Sequence, residues 1–279
     1  MRLNVWELHR KIALRSYDPG AYEQLCRILC NMDERDYAEG IFQRWLQVDP
    51  GNARAQHLRA ALIGKDVPER CSQHYLMSEF DSFSHSFDEV LKGLDYRAPR
   101  LVADALLEEH PSLDKILDVL DAGCGTGLCG PLLRSHARRL VGVDIAGGML
   151  NKADERQLYD ELVQSEITSF MMERPSEFDV VVSSDVLVYF GILESVFRAF
   201  ARTMRPGGLL LLTVERLDDD DTDFRLNKTG RYSHSASYLR RVCNSAGLLL
   251  QSITGHVLRF EDGTPVRGLL VRARCAQEP

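Results

Sequence analysis

Apolar residues recur with two different periods along this chain, and the change falls near residue 70. Before it the spacing is helical. In "GAYEQLCRILCNMDERDYAEGIFQRWLQVDP" (20–50) the apolar stripe breaks at "NMDER" and stops at Asp49-Pro50, which predicts two helices. A leading helix is expected within 3–15 and a trailing one over 53–63. "GKDVPERCSQ" (64–73), charged and broken by Gly and Pro, reads as a linker. From residue 75 the pattern becomes short, unbroken apolar runs: "DKILDVLDAG" (114–123), "RRLVGVDIA" (138–146), "EFDVVVSSDV" (177–186) and "RPGGLLLLTVE" (205–215). Such runs suit parallel strands covered on both faces. Helical stretches near 146–158 and 191–204 lie between them, and this alternation indicates a doubly wound α/β sheet. "GLLLQSITGHVLRFEDGTPVRGLLVRAR" (247–274) reads as two long strands joined at Asp262-Gly263, an antiparallel hairpin at the sheet edge. Two domains are therefore expected, over 1–68 and 75–279.

The first region can be placed on the tetratricopeptide pattern of about 34 residues, with Pro50 at its closing proline. Tyr22, Leu25, Ala38 and Phe42 then fall on anchor positions with suitable residues. Cys26 stands where glycine is usual and Trp45 where alanine is usual. The region resembles one tetratricopeptide unit, with an ordinary helical hairpin as the alternative. One unit cannot bury both its faces, so the rest of the chain, a second copy (a homodimer) or a protein partner is expected to cover one of them.

Composition narrows the classes. Of 279 residues, 44% are apolar and 27% charged, ordinary for a soluble globular chain with a real core. A net charge of −7 argues against a protein that wraps nucleic-acid backbone. No run approaches the ~20 apolar residues of a membrane span, and the charged start "MRLNVWELHRKIALRS" does not read as a secretory signal. Seven cysteines, odd in number and without a Cys-x-x-Cys pair, read as reduced thiols of a cytoplasmic protein, with neither zinc nor a disulfide framework.

The chemistry centres on "DVLDAGCGTG" (118–127). Glycines directly after a first strand lie where open α/β sheets bind ligands. Gly123, Gly125 and Gly127 let backbone approach a ligand closely, and the helix start behind them offers free N–H donors. Asp144 ends the second strand, where a carboxylate can accept both hydroxyl hydrogens of a ribose. Together these features indicate a nucleoside-containing cofactor. The dinucleotide fingerprint needs a glycine at 128, where leucine stands, and no Gly-Lys-Ser/Thr follows to make a phosphate-binding Walker loop.

What stands instead, Asp121-Ala-Gly-Cys-Gly-Thr-Gly127, resembles the first motif of class I S-adenosylmethionine-dependent methyltransferases. The resemblance runs through most of 75–274. It implies a Rossmann-like seven-stranded sheet ordered 3-2-1-4-5-7-6, S-adenosylmethionine as cofactor and S-adenosylhomocysteine as product. It implies that Asp121 and the loop Gly123, Cys124, Gly125 and Gly127 hold the methionine end, and that Asp144, with Ile145 beside it, holds the ribose. Glu166-Ile167 fall at the adenine, with glutamate where aspartate is commoner. "SSDVLVYF" (183–190) matches the fourth-strand motif, which adds Ser184. "FDSFSHSFDEVLKGLDYRAP" (80–99), "GRYSHSASYLRRV" (230–242) and "VLRFEDGTPVRGLLVRAR" (257–274) resemble bacterial methyltransferases that carry tetratricopeptide repeats.

Phe80, Phe83 and Phe87 recur at helical spacing ahead of the sheet. They read either as a lid over the cofactor, with Phe83 touching it, or as a core-facing stripe. Methyl transfer is a direct displacement, so alignment of the reactants dominates and a base matters only when the acceptor must lose a proton. His234 is the first candidate base, against a packing role. Asp185, Tyr189 and Glu215 are expected to line the same crevice. The acid run 218–223 reads as a solvated loop, not a metal site. The Asn/Asp-Pro-Pro-Tyr/Phe signature of exocyclic-amine methylation is replaced by Ser184-Asp185-Val186-Leu187, and no basic stripe is interleaved with aromatics. The expected acceptor is a small molecule, methylated at oxygen (hydroxyl or carboxylate) before nitrogen. The alternative is a protein methyltransferase, or a cofactor-binding scaffold, that docks a protein through its N-terminal helices.

Overall fold

A computed structural model describes residues 2–14 and 17–276. The chain divides into two units, Met1–Tyr75 with Leu226–Arg231, and Leu76–Arg225 with Tyr232–Pro279.

The first unit holds four helices, α1 (Arg2–Leu14), α2 (Pro19–Asn31), α3 (Arg35–Val48) and α4 (Ala53–Ile63). Their limits follow from local chemistry. Asp18 caps α2 by accepting from Ala21 N–H at 3.0 Å, ahead of Pro19 in the first turn. Asn52 caps α4 through Ala55 N–H at 2.8 Å, and Gly64 closes it in the left-handed region. Leu8, Tyr22, Leu25, Cys26, Ala38, Phe42, Trp45 and Leu58 fill one apolar core. Trp45, bulky where a small residue is usual, is fully buried between the Tyr22 and Phe42 rings, with centroids 5.6 and 6.3 Å away. The inserted segment 226–231 is tied in by His57 Nε2–H, which donates to Gly230 O at 2.7 Å.

The second unit begins with α5 (Gln73–Phe83, starting in the first unit), α6 (Phe87–Gly93) and α7 (Ala98–Glu109). The sheet then follows: β1 (Leu117–Ala122), α8 (Gly130–Leu133), β2 (Ala137–Asp144), α9 (Gly147–Glu155), β3 (Glu161–Gln164), α10 (Ile167–Glu173) and β4 (Phe178–Ser183). A 3-10 turn (Leu187–Tyr189), α11 (Glu194–Thr203), β5 (Met204–Arg216), β6 (Phe224–Leu226), β7 (Tyr232–His234), α12 (Ala236–Ser245), β8 (Leu248–Glu261) and β9 (Thr264–Cys275) complete it.

β1, β2, β3, β4 and β5 run parallel, and β9 lies antiparallel between β5 and the edge strand β8. The seven long strands thus lie in the order β3-β2-β1-β4-β5-β9-β8, the mixed sheet of a Rossmann-like methyltransferase fold. β1 is buried along its whole length and β4 nearly so, as expected for strands covered by helices on both faces. Glu215 pairs with both Gly268 of β9 and Ser233 of β7, so the short β7–β6 pair occupies the edge that β4 vacates. Two elements escape the apolar pattern. β3 has three half-buried residues and an exposed Gln164 at the sheet edge, and β5 begins before its Pro206-Gly207 signal, through a register irregularity opposite Phe178–Val180.

The helix behind the glycines departs from expectation. It is a single turn, 130–133, reached through successive turns in which Gly127 N–H bonds Cys124 O and Gly130 N–H bonds Gly127 O.

Candidate functional site

The carboxyl ends of β1, β2, β4 and β5 bring together most of the residues expected to act. At the end of β1, Gly123, Gly125 and Gly127 have φ of +83°, +55° and +82°, which side-chain-bearing residues rarely adopt. A Cβ on Gly123 would lie 2.3 Å from the Val186 side chain, whereas one on Gly125 would meet nothing within 4 Å. The first glycine is therefore demanded by packing, and the second leaves a bare surface. The loop N–H groups are already engaged: Gly123 and Cys124 donate to Val143 O, and Gly125 donates to Asp144 Oδ2 at 2.9 Å. What this loop offers a ligand is proximity more than a set of free donors. Cys124 and Cys129 are buried, and burial raises both thiols well above their usual range, which leaves them inert as nucleophiles.

Asp121 is completely buried. Its Oδ2 accepts from the Tyr159 hydroxyl at 2.7 Å, while its Oδ1 has no partner. Burial raises its carboxyl to about 7, opposed by the Tyr159 hydrogen bond and reinforced by the nearby Asp144 charge. Asp144 accepts from Gly125 N–H and from Ala146 N–H, each at 2.9 Å. Each of its oxygens keeps a second lone pair for a ribose hydroxyl. Burial raises Asp144 too, against those backbone bonds. Ile145 follows it, half-buried.

Glu166 and Ile167, expected at the adenine, each have structural partners within the fold. The Glu166 carboxylate caps α10, accepting from Thr168 N and Oγ1 and from Ser169 N and Oγ at 2.9–3.2 Å. Ile167 packs in the sheet core at 6% exposure. The reason is local: an acid three residues ahead of Ser169 satisfies orphan N–H groups of the helix it precedes.

Beyond β4, Asp185 adopts φ +59° and its N–H donates to Thr213 Oγ1 at 2.9 Å. Asp185 Oδ1 is buried without a hydrogen-bond partner, while Ser184 lies within reach of the Tyr96 hydroxyl and the Cys129 thiol. Asp185 Oδ2 and Glu215 are held by Arg259 of β8, a residue 2% exposed that donates to Asp185 at 2.8 Å, to Glu215, and to Glu261 at 2.7 Å. Burial would lower the guanidinium, but these carboxylates raise it. Tyr96 lies against the same acids, and burial followed by the Asp185 charge raises its hydroxyl well above its usual range. Tyr189 is half-buried, edge-on to Phe80 at 5.4 Å between centroids. Phe83 packs edge-on to Phe87 at 5.5 Å.

The aromatic segment is latched to the glycine loop. Asp81 accepts from Gly148 N–H at 2.8 Å, and Asp88 accepts from both the Thr126 hydroxyl and Arg156. Arg156 Nε in turn donates to Thr126 O at 2.6 Å.

His234 does not face this crevice as a base. It is fully buried on β7, with Nε2–H donating to Phe190 O at 2.9 Å and approaching Gly191 O at 3.2 Å. A carbonyl only accepts, so the proton sits on Nε2, and the lone pair on Nδ1 is sealed without a partner. Burial pushes the imidazole down to about 4 against those carbonyls, so it stays neutral. This histidine secures the turn after β4. In the acid run, Asp218 pairs with Arg216, Asp219 with Arg225 and Asp223 with Arg241. Among the described residues no group of three or more His, Cys, Asp or Glu is arranged to hold a metal ion, and no helix is long and apolar enough to cross a membrane.

Sequence reasoning missed Tyr159, Arg259 and the Asp88–Arg156 pair, and took Tyr96 for the start of a helix. Asp88, Tyr96 and Arg259 lie inside the segments quoted for the family resemblance, but each of these residues meets its partner more than 30 positions away.

Residues 120–212 match the family model described as a methyltransferase domain. Among curated proteins the chain is similar to malonyl-acyl-carrier protein O-methyltransferase of Yersinia pestis, 33% identical over 152 residues, 54% of this chain and 54% of that protein. It is also similar to methyltransferase-like protein 27 of Homo sapiens, 32% identical over 137 residues, 48% of this chain and 56% of that protein. The chain spans about half the length of the curated relatives it matches. Among solved structures it resembles the Burkholderia thailandensis 1,6-didemethyltoxoflavin-N1-methyltransferase bound to S-adenosylhomocysteine, with TM-score 0.59 and 19% identity, over 76% of this chain and 93% of that one. The α/β unit thus has the fold of a solved methyltransferase and carries, over 120–212, a match to a methyltransferase-domain model.

Proposed function

We propose that this chain is an enzyme that transfers the methyl group of S-adenosylmethionine to a small-molecule acceptor, most directly at a hydroxyl oxygen. One observation supports this above the others: Asp121 Oδ1 and Asp185 Oδ1 are buried polar atoms without partners, on the strand ends that flank a loop left bare at Gly125. Buried orphans of this kind cost about 1–3 kcal/mol each unless a ligand satisfies them. An amino-acid tail with a cationic amine and a carboxylate-held sugar fits that donor and acceptor set, so the residues present suit S-adenosylmethionine.

When bound, the cofactor supplies an electrophilic methyl on a sulfonium. The chain's part is to bind and align. Asp121 and the bare loop 123–127 hold the methionine end, Asp144 the ribose, and the half-buried Ile145 borders the sugar side. Phe80, Phe83 and Phe87, with Tyr189, exclude water. Asp185 Oδ1 is the group placed to take a proton from an acceptor hydroxyl, and Arg259 fixes Asp185 and Glu215 while they do so. Each nitrogen of Arg259 already bonds a carboxylate, which favours a neutral hydroxyl over an anionic carboxylate as acceptor. An O-methyltransferase among the relatives supports oxygen as the atom methylated. Incubation with labelled S-adenosylmethionine and a panel of phenols, alcohols, carboxylic acids and amines tests the reading. Label transfer to hydroxyls is expected; bound cofactor with no transfer to any acceptor contradicts it.

The second reading, a protein acceptor or partner docked through a tetratricopeptide-like hairpin, draws on Trp6 and Tyr37, which are 61% and 50% exposed on the helical unit. Deleting residues 1–65 separates the two. Soluble protein that binds cofactor but loses acceptor use supports docking, whereas aggregation supports a structural role for the helices.

A further inference from the structure

The ring of Tyr159 fills a slot made by three glycines from three different segments. A Cβ on Gly127, Gly130 or Gly142 would lie 3.0, 3.0 or 2.9 Å from it. Gly127 also needs its positive φ, but Gly130 and Gly142 do not, so no backbone conformation requires glycine there. At Gly142 the Leu162 side chain and Cys124 Sγ crowd the same space. The loop that carries Tyr159 is itself fixed: Asp160 N–H donates to Leu140 O at 2.9 Å, and Arg134 donates to Leu158 O at 3.2 Å and to Asp160 at 2.6 Å. A tightly held ring thus ends in a hydroxyl that meets Asp121 Oδ2 at 2.7 Å.

We propose that Tyr159 is a positioning residue for cofactor binding, which holds the Asp121 carboxylate ionised and aimed with Oδ1 left for the cationic end of S-adenosylmethionine. The proposal rests on the cofactor reading above and adds a residue outside its motifs. The physical argument is electrostatic. Asp121 is fully buried, and its hydrogen-bond partner is a phenol, not a cation. The charged groups that face it are acidic or neutral: Asp144 from β2, and the thiols Cys124 and Cys129 from the glycine loop. Only the Tyr159 hydrogen bond opposes the burial that pushes its carboxyl to about 7. A carboxylate only accepts, so the hydroxyl must donate, and burial keeps that hydroxyl protonated by raising it well above its usual range.

The test is calorimetric titration with S-adenosylhomocysteine between pH 6 and 8.5, for wild type, Tyr159→Phe and Asp121→Asn. Wild-type affinity should strengthen as pH rises through about 7. Tyr159→Phe keeps the ring in its slot and removes only the donor. Its titration should move up by about one pH unit, so its affinity should fall about fivefold at pH 7 and approach wild type near pH 8.5. Asp121→Asn should bind weakly with no step in that range. A Tyr159→Phe protein with wild-type affinity and an unmoved profile overturns the proposal while leaving the cofactor reading intact. No binding by folded wild type overturns the reading itself. Should Tyr159→Phe fail to fold, the wild-type and Asp121→Asn profiles decide: a wild-type curve flat across pH 7 also overturns the proposal.

Discussion

The two ends of β1 carry an aspartate each, three residues apart, and they are treated in opposite ways. Asp118, at the amino end, is nearly buried and accepts from Arg138 at 3.0 Å and Arg205 at 2.7 Å. Burial would raise its carboxyl, but the two guanidiniums outweigh burial and hold it below the usual range. Asp121, at the other end, meets one phenol and has one oxygen with no partner. The difference teaches how the sheet is divided in use. At the amino end of β1 two guanidiniums match the Asp118 charge within the fold, and the interactions there serve stability. At the carboxyl ends Asp121 and Asp185 are each left with an unpartnered oxygen, which costs stability and prepares a place for a ligand.

The sharpest way to break that comparison is at the glycines. Gly123→Ala drives a Cβ into Val186 at φ +83° and should cost about 2–4 kcal/mol and abolish cofactor binding, measured by denaturant unfolding and calorimetry. Gly125→Ala meets no neighbour, so it should lose only about 1 kcal/mol and yet forfeit most of its affinity, because the new methyl occupies the ligand's side of the loop. Equal effects at both positions would erase the distinction between packing and binding glycines.

His234 comes next. It is neutral in the fold and its unfolded counterpart protonates near 6.5, so its contribution is intact above that pH and is lost as pH falls toward 4. Unfolding free energy should drop by about 2–3 kcal/mol from this residue across that window. In His234→Gln that portion of the acid slope should vanish. A variant that keeps wild-type stability at every pH but loses turnover would restore histidine as the base.

The aspartates themselves give the next contrast. Asp118→Asn should cost about 1–3 kcal/mol at pH 8 and leave cofactor affinity unchanged. Asp121→Asn should do the reverse. Because the folded carboxyl of Asp121 is raised from 3.8 to about 7, the wild type loses stability from this group as pH climbs through that interval. Removing the charge should therefore leave the apo protein at least as stable at pH 8, with affinity down about tenfold or more. The smallest effect belongs to the latch. Asp88→Asn loosens its bonds to Thr126 and Arg156, worth under ~1 kcal/mol at this exposed position, and should speed cofactor release a few-fold in stopped-flow fluorescence.

Much of this was legible beforehand because it is local. Helices α2, α3 and α4 follow from apolar spacing and their end signals, and the glycine run with Asp144 stands out as a strand-end pattern. The hairpin at Asp262-Gly263 is equally a short-range signal. What stayed hidden is pairing across the fold. Nothing near Arg259 announces that it will meet Asp185, 74 positions away, or Glu215, 44 away. Nothing marks Tyr159 as the partner of Asp121. His234 misled for a related reason: residue type and position suggested chemistry, while a backbone carbonyl had already claimed its Nε2 proton.

The central claim is that the incomplete end of β1 is completed by S-adenosylmethionine or its demethylated product. Calorimetric titration of S-adenosylhomocysteine into folded wild-type protein at pH 7.5 tests it most directly. The account predicts saturable binding of one molecule per chain that Gly125→Ala abolishes. An absence of heat from well-folded material, or undiminished binding by that variant, would contradict it.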